Sequence, residues 1–545
     1  MSPGDREESP REGLGTRVAV SARWVAASTA VGMAATWLTA IALARILDRR
    51  QFGIAALALL AVAVFQLFQD SGLHAALIQR RTRIQEAVDT AALYAPITGV
   101  VLAVACVVFA PLGARFFHEP ELTGLIRGLG AVFLLRSFAI VPTALIQREL
   151  LFARQSVIAV VASLLQLGSA VTLALLGAGA WAVIGAQIVV AAWWAGASTV
   201  ASPVTAHPRR ASYTELRALL RYGRHIVVGN VVGFVNSTTD PVVVGRLFGP
   251  VRLGAYTLGF QSGSQSVTAV TGISNLLVFP AYAKLQDDLP RFQRAYLRSL
   301  RFVCTISVPA GIGLAAICDV FVRVLYGDKW AAAIPVLAII SFYGLFLSVF
   351  ATTGEVFKAA GRPELFARMG IFQIAILFGL IGALYPFGIV GFACARAGAT
   401  FIMGWVALYI AGGILGLGIS EWIRVLRAPM AAALLMGAGV FATSRALTIV
   451  VGDNLVVLAL LIVEGIVLYV VAMRIVAAAR WEEFVSELTA IVPLKALRWL
   501  APRAAHTSPA DEHPLPFQPG GSTPDTPRLA GEPPPARDAT EVTVR

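Results

Sequence analysis

Long apolar runs alternate with short polar turns along most of this chain. Each run is about 20 residues long, which is the length that a helix needs to cross the hydrocarbon core of a bilayer. The runs lack the alternation of apolar and polar positions that is typical of barrel strands, so they predict helices. About 14 spans follow from the pattern, at 24–46, 53–75, 89–112, 123–146, 155–176, 180–201, 223–246, 253–280, 302–324, 333–357, 367–385, 389–412, 428–447 and 454–476.

Composition excludes a soluble protein. Of the 545 residues, 57% are hydrophobic and only 14% are charged. A soluble protein carries about 25% charged residues, so a water-exposed globular surface cannot be built from this chain. The formal net charge of +13 would suit a nucleic-acid partner in a soluble protein. In a membrane protein the positive-inside rule explains it, and we expect no nucleic-acid partner.

The basic residues also predict the orientation in the membrane. An even number of spans places both termini on the same side. The loops on that side carry 24 Lys and Arg residues, whereas the alternating loops carry 9. Because cytoplasmic loops are enriched in Lys and Arg, both termini are predicted to be cytoplasmic.

Two halves of the chain are similar in sequence. Ala44-Arg45-Ile46-Leu47 with Phe52-Gly53 matches Gly245-Arg246-Leu247-Phe248 with Leu253-Gly254, and two weaker matches follow in the same order. Each unit holds six spans, an even number, so both copies insert with the same orientation, as the two lobes of a transporter do. The alternative is that glycine and arginine recur at any short membrane turn.

The predicted organisation is an all-α polytopic membrane protein with two six-helix lobes and two extra helices. After the last span, charged and apolar residues alternate at helical spacing, and then a proline-rich tail follows that cannot bury a core. The predicted segments are a cytoplasmic N-terminal segment at 1–22, an N-terminal six-helix lobe at 23–205, a C-terminal six-helix lobe at 206–415, two additional helices at 416–478, an amphipathic cytoplasmic helix at 479–500 and a disordered tail at 501–545.

Several short segments, spread over both halves, resemble one known family. They are Ala44-Arg45 through Phe52-Gly53, Asp70-Ser71-Gly72 through Arg80, Gln147-Arg148-Glu149-Leu150 with Phe152, Gly177 through Val183, Asp240 with Val244-Gly245-Arg246, Phe279-Pro280 with Leu285-Gln286-Asp287-Asp288, and Gly361-Arg362-Pro363. Over roughly residues 20 to 415 the chain is similar to the Wzx-like polysaccharide flippases, the WzxC and teichuronic-acid-exporter branch of the MATE/MOP superfamily.

That resemblance implies a two-lobed, MATE/MOP-like transporter in the bacterial inner membrane. It implies a lipid-linked oligosaccharide substrate, usually carried on undecaprenyl pyrophosphate, which alternating access moves between leaflets during cell-surface polysaccharide biosynthesis. We expect membrane lipids, possible glycosyltransferase or polymerase partners, and H⁺ or Na⁺ as a possible coupling ion. No cofactor and no metal site are expected, and the protein is expected to act as a monomer.

Charged and amide residues inside the spans are the candidates for the site. A charge at the bilayer centre costs about 2.5–3.5 kcal/mol, so its presence suggests a function. Arg136, near the middle of the fourth span, is expected to grip a phosphate or an acidic sugar, and the alternative is a salt bridge between helices. The seventh and twelfth spans add further cavity candidates, which are Asn230, Asn236, Asp240 and Arg396.

A second set of residues is predicted to gate or couple transport. Asn236 and Asp240 lie four residues apart and therefore share a helix face, which could bind sugar hydroxyls or a coupling ion. The alternative is that Asp240 pairs with Arg246 or Arg45 to fix the packing of the lobes. The gating and coupling candidates are Glu355, Lys358, Asp70, His74 and Arg246, with a plain ion pair and a packed helix end as the structural alternatives.

Two other function classes compete with a flippase. A membrane glycosyltransferase or polymerase needs a sizeable extracytoplasmic loop with acidic or histidine residues, and the loops here are short. A cation-coupled small-molecule exporter of the same superfamily should stop near 12 spans and carry an acidic cavity. Because no nucleotide-binding, zinc-protease or serine-hydrolase motif stands out, we expect no enzyme activity.

Overall fold

The computed structural model describes residues 10–69, 72–80, 83–204, 207, 210–286 and 288–476. Every regular element within those residues is a helix, which confirms the predicted all-α class. The predicted amphipathic helix at 479–500 and the tail at 501–545 lie outside the described residues, as do residues 1–9 of the predicted N-terminal segment.

The described residues up to 204 form seven helices. The first begins at Pro10, well before the predicted start at 24 and within the predicted N-terminal segment, and the second ends at Gln69 rather than at 75. The four long helices from Ile84 on begin and end within five residues of the predicted bounds. The helices are α1 Pro10–Ile46, α2 Arg49–Gln69, α3 Leu73–Gln79, α4 Ile84–Phe117, α5 Leu122–Arg148, α6 Phe152–Leu175 and α7 Trp181–Ala201.

Between residues 210 and 476 the described part of the chain contains eight further helices. Short 3₁₀ turns at Asp328–Ala333 and Tyr385–Phe387 lie between some of them. The helices are α8 Tyr213–Leu285, α9 Leu289–Ala316, α10 Cys318–Leu325, α11 Ile334–Ala359, α12 Pro363–Leu384, α13 Gly388–Leu415, α14 Ile419–Val450 and α15 Leu455–Val476.

Helix α8 is interrupted once. Gly249 adopts φ 76° and ψ −179°, which is not helical, and it divides the helix into α8a (213–248) and α8b (250–285). With α8 counted as two segments, and the short α3 and α10 left out, the described chain follows the predicted order of 14 spans. By length and hydropathy alone, 11 stretches of the described residues can cross a membrane, and one of these (364–415) contains both α12 and α13.

The predicted span at 302–324 is wrong in its bounds. Helix α9 begins earlier, because the Asp288 side chain caps it by accepting from the Arg291 backbone N–H at 3.1 Å. It ends at Ala316, and the separate helix α10 follows. Asp319 and Arg323 form an ion pair at 2.8 Å within α10, an arrangement suited to the membrane surface rather than to its centre.

Helix α8 joins the two lobes. Helices α1, α2, α4, α5, α6 and α7 pack on one another, and α2 also packs along α8. Helices α9, α11, α12 and α13 form the second group with α8, and α14 and α15 pack on its α9 side. Tyr256 of α8 is completely buried in a core cluster that contains residues of both groups, including Phe117 and Val336.

The lobes contact each other at one end of the bundle, which we call the docked end. It comprises the turns at 47–48, 118–121, 249 and 326–333. The Trp330 indole N–H donates to the Ala44 carbonyl at 2.9 Å, and Trp330 is fully buried. The Lys329 ammonium donates to the carbonyls of Arg45 at 3.0 Å and Leu47 at 2.7 Å. In the opposite direction Arg45 donates to the Leu325 carbonyl at 2.8 Å. Each lobe therefore caps a helix end of the other lobe.

The backbones approach closely at the docked end through two glycines. A Cβ built on Gly53 would lie 1.9 Å from the Pro250 carbonyl oxygen, so only glycine fits there. A Cβ built on Gly254 would lie 3.4 Å from the Arg49 carbonyl oxygen. Positions 53 and 254 differ by 201, and so do positions 49 and 250. The same contact is therefore made twice, with the two copies of the repeat exchanging roles.

At the opposite end, the connection into α8 is tied to the first lobe. Arg80 and Glu215 form a salt bridge at 2.7 Å. The backbone N–H of His207 donates to an Asp89 carboxylate oxygen at 2.7 Å, and Asp89 is buried. The start of α8 consequently belongs with the first lobe, although its later turns pack in the second.

Candidate functional site

A cavity of about 480 Å³ lies within the first lobe and is completed by two residues of α8b. Its wall combines apolar side chains with hydroxyl and amide groups and one guanidinium. In the part of the chain that the structure describes, the lining contains no acidic side chain. The polar side chains of the lining are Thr36, Thr39, Arg136, Ser163, Gln166, Gln187, Trp194, Thr257 and Gln261.

Arg136 of α5 supplies the charge of this cavity. The next residue, Ser137, is buried where α5 meets α4, so close that a Cβ on Gly99 would lie 2.3 Å from its hydroxyl. Because neighbouring residues of a helix point about 100° apart, this packing turns Arg136 toward α7. Its guanidinium donates to the Gln187 amide oxygen at 3.2 Å and remains half-buried.

A second polar cluster lies in the other lobe, where α8, α11, α12 and α13 meet. Asp240 is completely buried, and only 5% of Arg396 is exposed. Their side chains approach to 3.6 Å. The Tyr256 hydroxyl donates to the other Asp240 oxygen, and the Arg396 guanidinium donates to the Tyr343 hydroxyl oxygen at 3.3 Å.

Amide and aromatic groups extend this cluster. The Arg396 guanidinium donates to the backbone carbonyl of Asn236 and to its amide oxygen, the latter at 3.2 Å. Asn236 in turn contacts Gln373 at 3.4 Å, and Gln373 donates to the Thr400 hydroxyl at 3.1 Å. A buried charge is stable only when it is paired and hydrogen-bonded, and these contacts meet most of that need.

Of the five predicted cavity residues, the structure brings three together and separates a fourth from them. Asn236, Asp240 and Arg396 meet in the second lobe, whereas Arg136 lines the first-lobe cavity. Asn230 lies in α8a, and its side chain is outside the described part of the chain.

The alternative pairing of Asp240 with Arg246 or Arg45 is wrong. Arg246 contacts the His118 ring nitrogen at 2.6 Å, and its guanidinium lies 5.5 Å from the centre of the Phe116 ring. Arg45 instead binds carbonyl groups at the end of α10. Both arginines lie at the docked end. Asp240 lies earlier in α8a, further from that end, beside Arg396.

Two of the gating candidates, Glu355 and Lys358, form a local ion pair at the end of α11. The Lys358 ammonium contacts a Glu355 carboxylate oxygen at 2.7 Å, and Glu355 is buried. Lys358 also lies 5.2 Å from the centre of the Phe366 ring. Of the other predicted pair, His74 lies in α3, and Asp70 lies outside the described residues.

Sequence reasoning missed four uncharged members of the two sites. Gln187 and Gln261 line the cavity, and Tyr256 and Tyr343 complete the buried cluster. A search limited to charged residues and asparagines inside apolar runs passes over them. Glutamines within predicted spans are a signal that could have found the first two, because an amide in hydrocarbon also needs a partner.

The comparisons with known proteins agree with this architecture. A family model described as "Polysaccharide biosynthesis protein" matches residues 42–335. The teichuronic acid biosynthesis protein TuaB of Bacillus subtilis is 24% identical over 363 residues, which cover 66% of this chain and 72% of TuaB. The succinoglycan biosynthesis transport protein ExoT of Rhizobium meliloti is 26% identical over 382 residues, which cover 70% of this chain and 75% of ExoT.

A solved structure with a similar fold is that of the lipid II flippase MurJ in an inward closed conformation. It superposes with a TM-score of 0.66 and 13% sequence identity, over 84% of this chain and 98% of that one. At that identity the likeness establishes the fold alone.

Proposed function

The chain belongs to the polysaccharide biosynthesis protein family, and on that premise we propose that it moves lipid-linked oligosaccharide units across the cytoplasmic membrane by alternating access. The names of relatives connect them with polysaccharide biosynthesis and, for ExoT, with transport. The protein is a multi-pass transporter and not an enzyme, so it makes and breaks no covalent bond of its cargo.

The cavity supplies what such a cargo needs. A sugar hydroxyl moved into hydrocarbon without a partner costs about 4–8 kcal/mol, and a phosphate charge costs far more. The hydroxyl and amide groups of the lining replace water around the sugars, and the lipid tail never has to leave the bilayer. The cavity volume of about 480 Å³ falls within the range of about 300–1,000 Å³ that is usual for binding sites.

One observation carries the proposal, which is that an arginine within a membrane span faces a polar cavity whose described lining holds no acidic side chain. A guanidinium binds phosphate through two parallel hydrogen bonds. Arg136 is therefore the group that we assign to the pyrophosphate or to an acidic sugar of the cargo. The same absence of acidic lining argues against a cation-coupled exporter of small molecules.

The docked end suggests the direction of access. Its turns belong to the loops with few basic residues, so we assign it to the periplasmic side and both termini to the cytoplasm. In that orientation the cavity is closed toward the periplasm.

We further propose that the segments 23–205 and 206–415 move as the two lobes and that 416–478 moves with the second. We also propose that the protein works as a monomer beside glycosyltransferases and a polymerase. H⁺ or Na⁺ remains our proposed coupling ion.

The test is Arg136→Ala, expressed in a strain of the source organism that lacks this gene. Each charge-assisted hydrogen bond is worth about 1.5–3 kcal/mol, so losing the guanidinium weakens binding by at least about ten- to a hundredfold. Surface polysaccharide should therefore be lost although the amount of protein in the membrane stays normal. Arg127→Ala is the matched control, because Arg127 lies on the same helix and is exposed away from the cavity.

A Lys substitution sharpens the result. Arg136→Lys keeps the charge but loses the two-pronged geometry, so it should give polysaccharide output between those of the wild type and Arg136→Ala. Wild-type output from Arg136→Ala would remove Arg136 from the binding site and take away the observation that carries the proposal.

A further inference from the structure

The buried pair of Asp240 and Arg396 is not part of the cavity that holds Arg136, and the proposed function gives it no role. Both residues lie within membrane spans and are more than nine-tenths buried. Retaining such a pair costs desolvation that an apolar pair would avoid. Its geometry indicates what the pair is for.

The pair is only half formed. An arginine and a carboxylate prefer two parallel N–H···O bonds. Here the guanidinium approaches one Asp240 oxygen to 3.6 Å, which is too long for a hydrogen bond. Within the described residues, that oxygen and the Arg396 Nε have no hydrogen-bond partner. Each partner is therefore left with one unused group, although the fork-like contact is within reach.

Arg396 instead bonds one turn away. Its guanidinium donates to the backbone carbonyl and the amide oxygen of Asn236. Asn236 and Asp240 lie four residues apart on α8a, about 6 Å along the helix axis. A small shift between α13 and α8a would exchange the Asn236 contacts for a complete pair with Asp240. Such an exchange between two arrangements of one arginine would be the kind of bistable element that conformational coupling requires.

Helix α8b connects this pair to the cavity. Tyr256 donates its hydroxyl to Asp240, and one turn later the Phe260 ring lies 5.9 Å from the Arg396 guanidinium. Thr257 directly follows Tyr256, Gln261 directly follows Phe260, and both line the cavity of the first lobe. One helix thus presents neighbouring faces to the cargo site and to the ion pair.

We propose that the Asp240–Arg396 pair couples the occupancy of the cavity to the movement of the lobes. Cargo in the cavity displaces Thr257 and Gln261, α8b turns with them, and Tyr256 draws Asp240 into the complete pair with Arg396. Asp240 and Arg396 are thus positioning residues that never touch the cargo. The inference rests on the proposed function, because it needs a cargo in that cavity.

The test removes the coupling without leaving an unpaired charge. Asp240→Asn combined with Arg396→Gln keeps hydrogen-bonding groups at both positions and makes the site neutral, so no unpaired charge is left buried and the protein should fold. Tyr256→Phe removes only the hydroxyl between α8b and Asp240 and leaves the charges balanced. Tyr296→Phe is the matched control, because Tyr296 is also buried in the second lobe with one hydroxyl partner, Thr353 at 3.0 Å.

Two readouts are measured for each variant. The first is surface polysaccharide in the complemented deletion strain. The second is the distance across the docked end between spin labels at Leu176→Cys and Ile449→Cys, which are both exposed, in a background without the native cysteines. The probe is undecaprenyl pyrophosphate carrying a single N-acetylglucosamine, added to the full-length protein in nanodiscs.

In the wild type and in Tyr296→Phe the probe should change the label distance. The neutral pair and Tyr256→Phe should bind the probe with the wild-type affinity, show no change in distance and transport about tenfold less or worse, which is within the usual range of coupling. Wild-type distance changes and transport in the neutral pair and in Tyr256→Phe would overturn the coupling role. If the wild type itself neither binds the probe nor restores polysaccharide, the proposed function fails instead.

Discussion

Gly53→Ala tests how tightly the two lobes are docked. The added methyl group would lie 1.9 Å from the Pro250 carbonyl oxygen and 2.4 Å from its carbonyl carbon. Ordinary contact begins at 3.4 Å, so the nearer atom would have to retreat by about 1.5 Å. Because these are backbone atoms of the facing helix, no side-chain rotation can relieve the overlap.

The expected penalty falls on the docked state alone. Overpacking of this kind costs about 1–3 kcal/mol, which lowers the ratio of docked to open molecules by about 5- to 150-fold. If the docked end closes in every transport cycle, surface polysaccharide should fall in parallel.

The assay is the label distance across the docked end, measured with the pair at positions 176 and 449 in the absence of cargo. Gly53→Ala should populate longer distances. Gly168→Ala is the control, because no atom lies within 4 Å of a Cβ at that position of α6. Alanine is the better helix former by about 1 kcal/mol, so the control should be unchanged or slightly more stable. An unaltered distance distribution in Gly53→Ala would refute the close approach of α2 and α8.

Two further predictions concern the docked end and the orientation. Trp330→Phe leaves the Ala44 carbonyl without its indole donor, so the free energy of unfolding should fall by about 1–3 kcal/mol. The control is Trp405→Phe, at an exposed position of α13. Equal thermal midpoints for the two variants would speak against that bond. A periplasmic phosphatase fused after Arg427 should be inactive, because its disulfides do not form in the cytoplasm, and an active fusion would contradict the assigned orientation.

The order of the helices could be predicted from the sequence because lipid imposes a simple length rule. A span must be apolar for about 20 residues, and its backbone must be satisfied within the helix. The α6–α7 turn at 176–180 and the ends of α15 follow directly from that rule. The break between α9 and α10 did not, because Cys318 through Leu325 is apolar enough to continue a span and only the Asp319–Arg323 pair marks it as separate.

The partners of the polar residues could be predicted only in part. The shared face of Asn236 and Asp240 follows from helical spacing, and the structure brings both to Arg396. Which cation they meet does not follow, because Arg396 is 156 positions beyond Asp240 and no spacing rule reaches so far. The alternative that Asp240 pairs with Arg246 or Arg45 was wrong for the same reason, and the carbonyls at the end of α10 satisfy Arg45 instead.

Because Gly53 contacts Pro250 and Gly254 contacts Arg49, the two copies of the repeat cannot diverge independently at every position. After a duplication, most positions of the two copies are free to diverge independently. Position 53 is not, since any side chain there would meet the backbone of Pro250, whose carbonyl oxygen lies 1.9 Å from a Cβ. Among relatives, position 53 should therefore remain glycine, whereas position 254, where a Cβ would lie 3.4 Å from its neighbours, can change more freely.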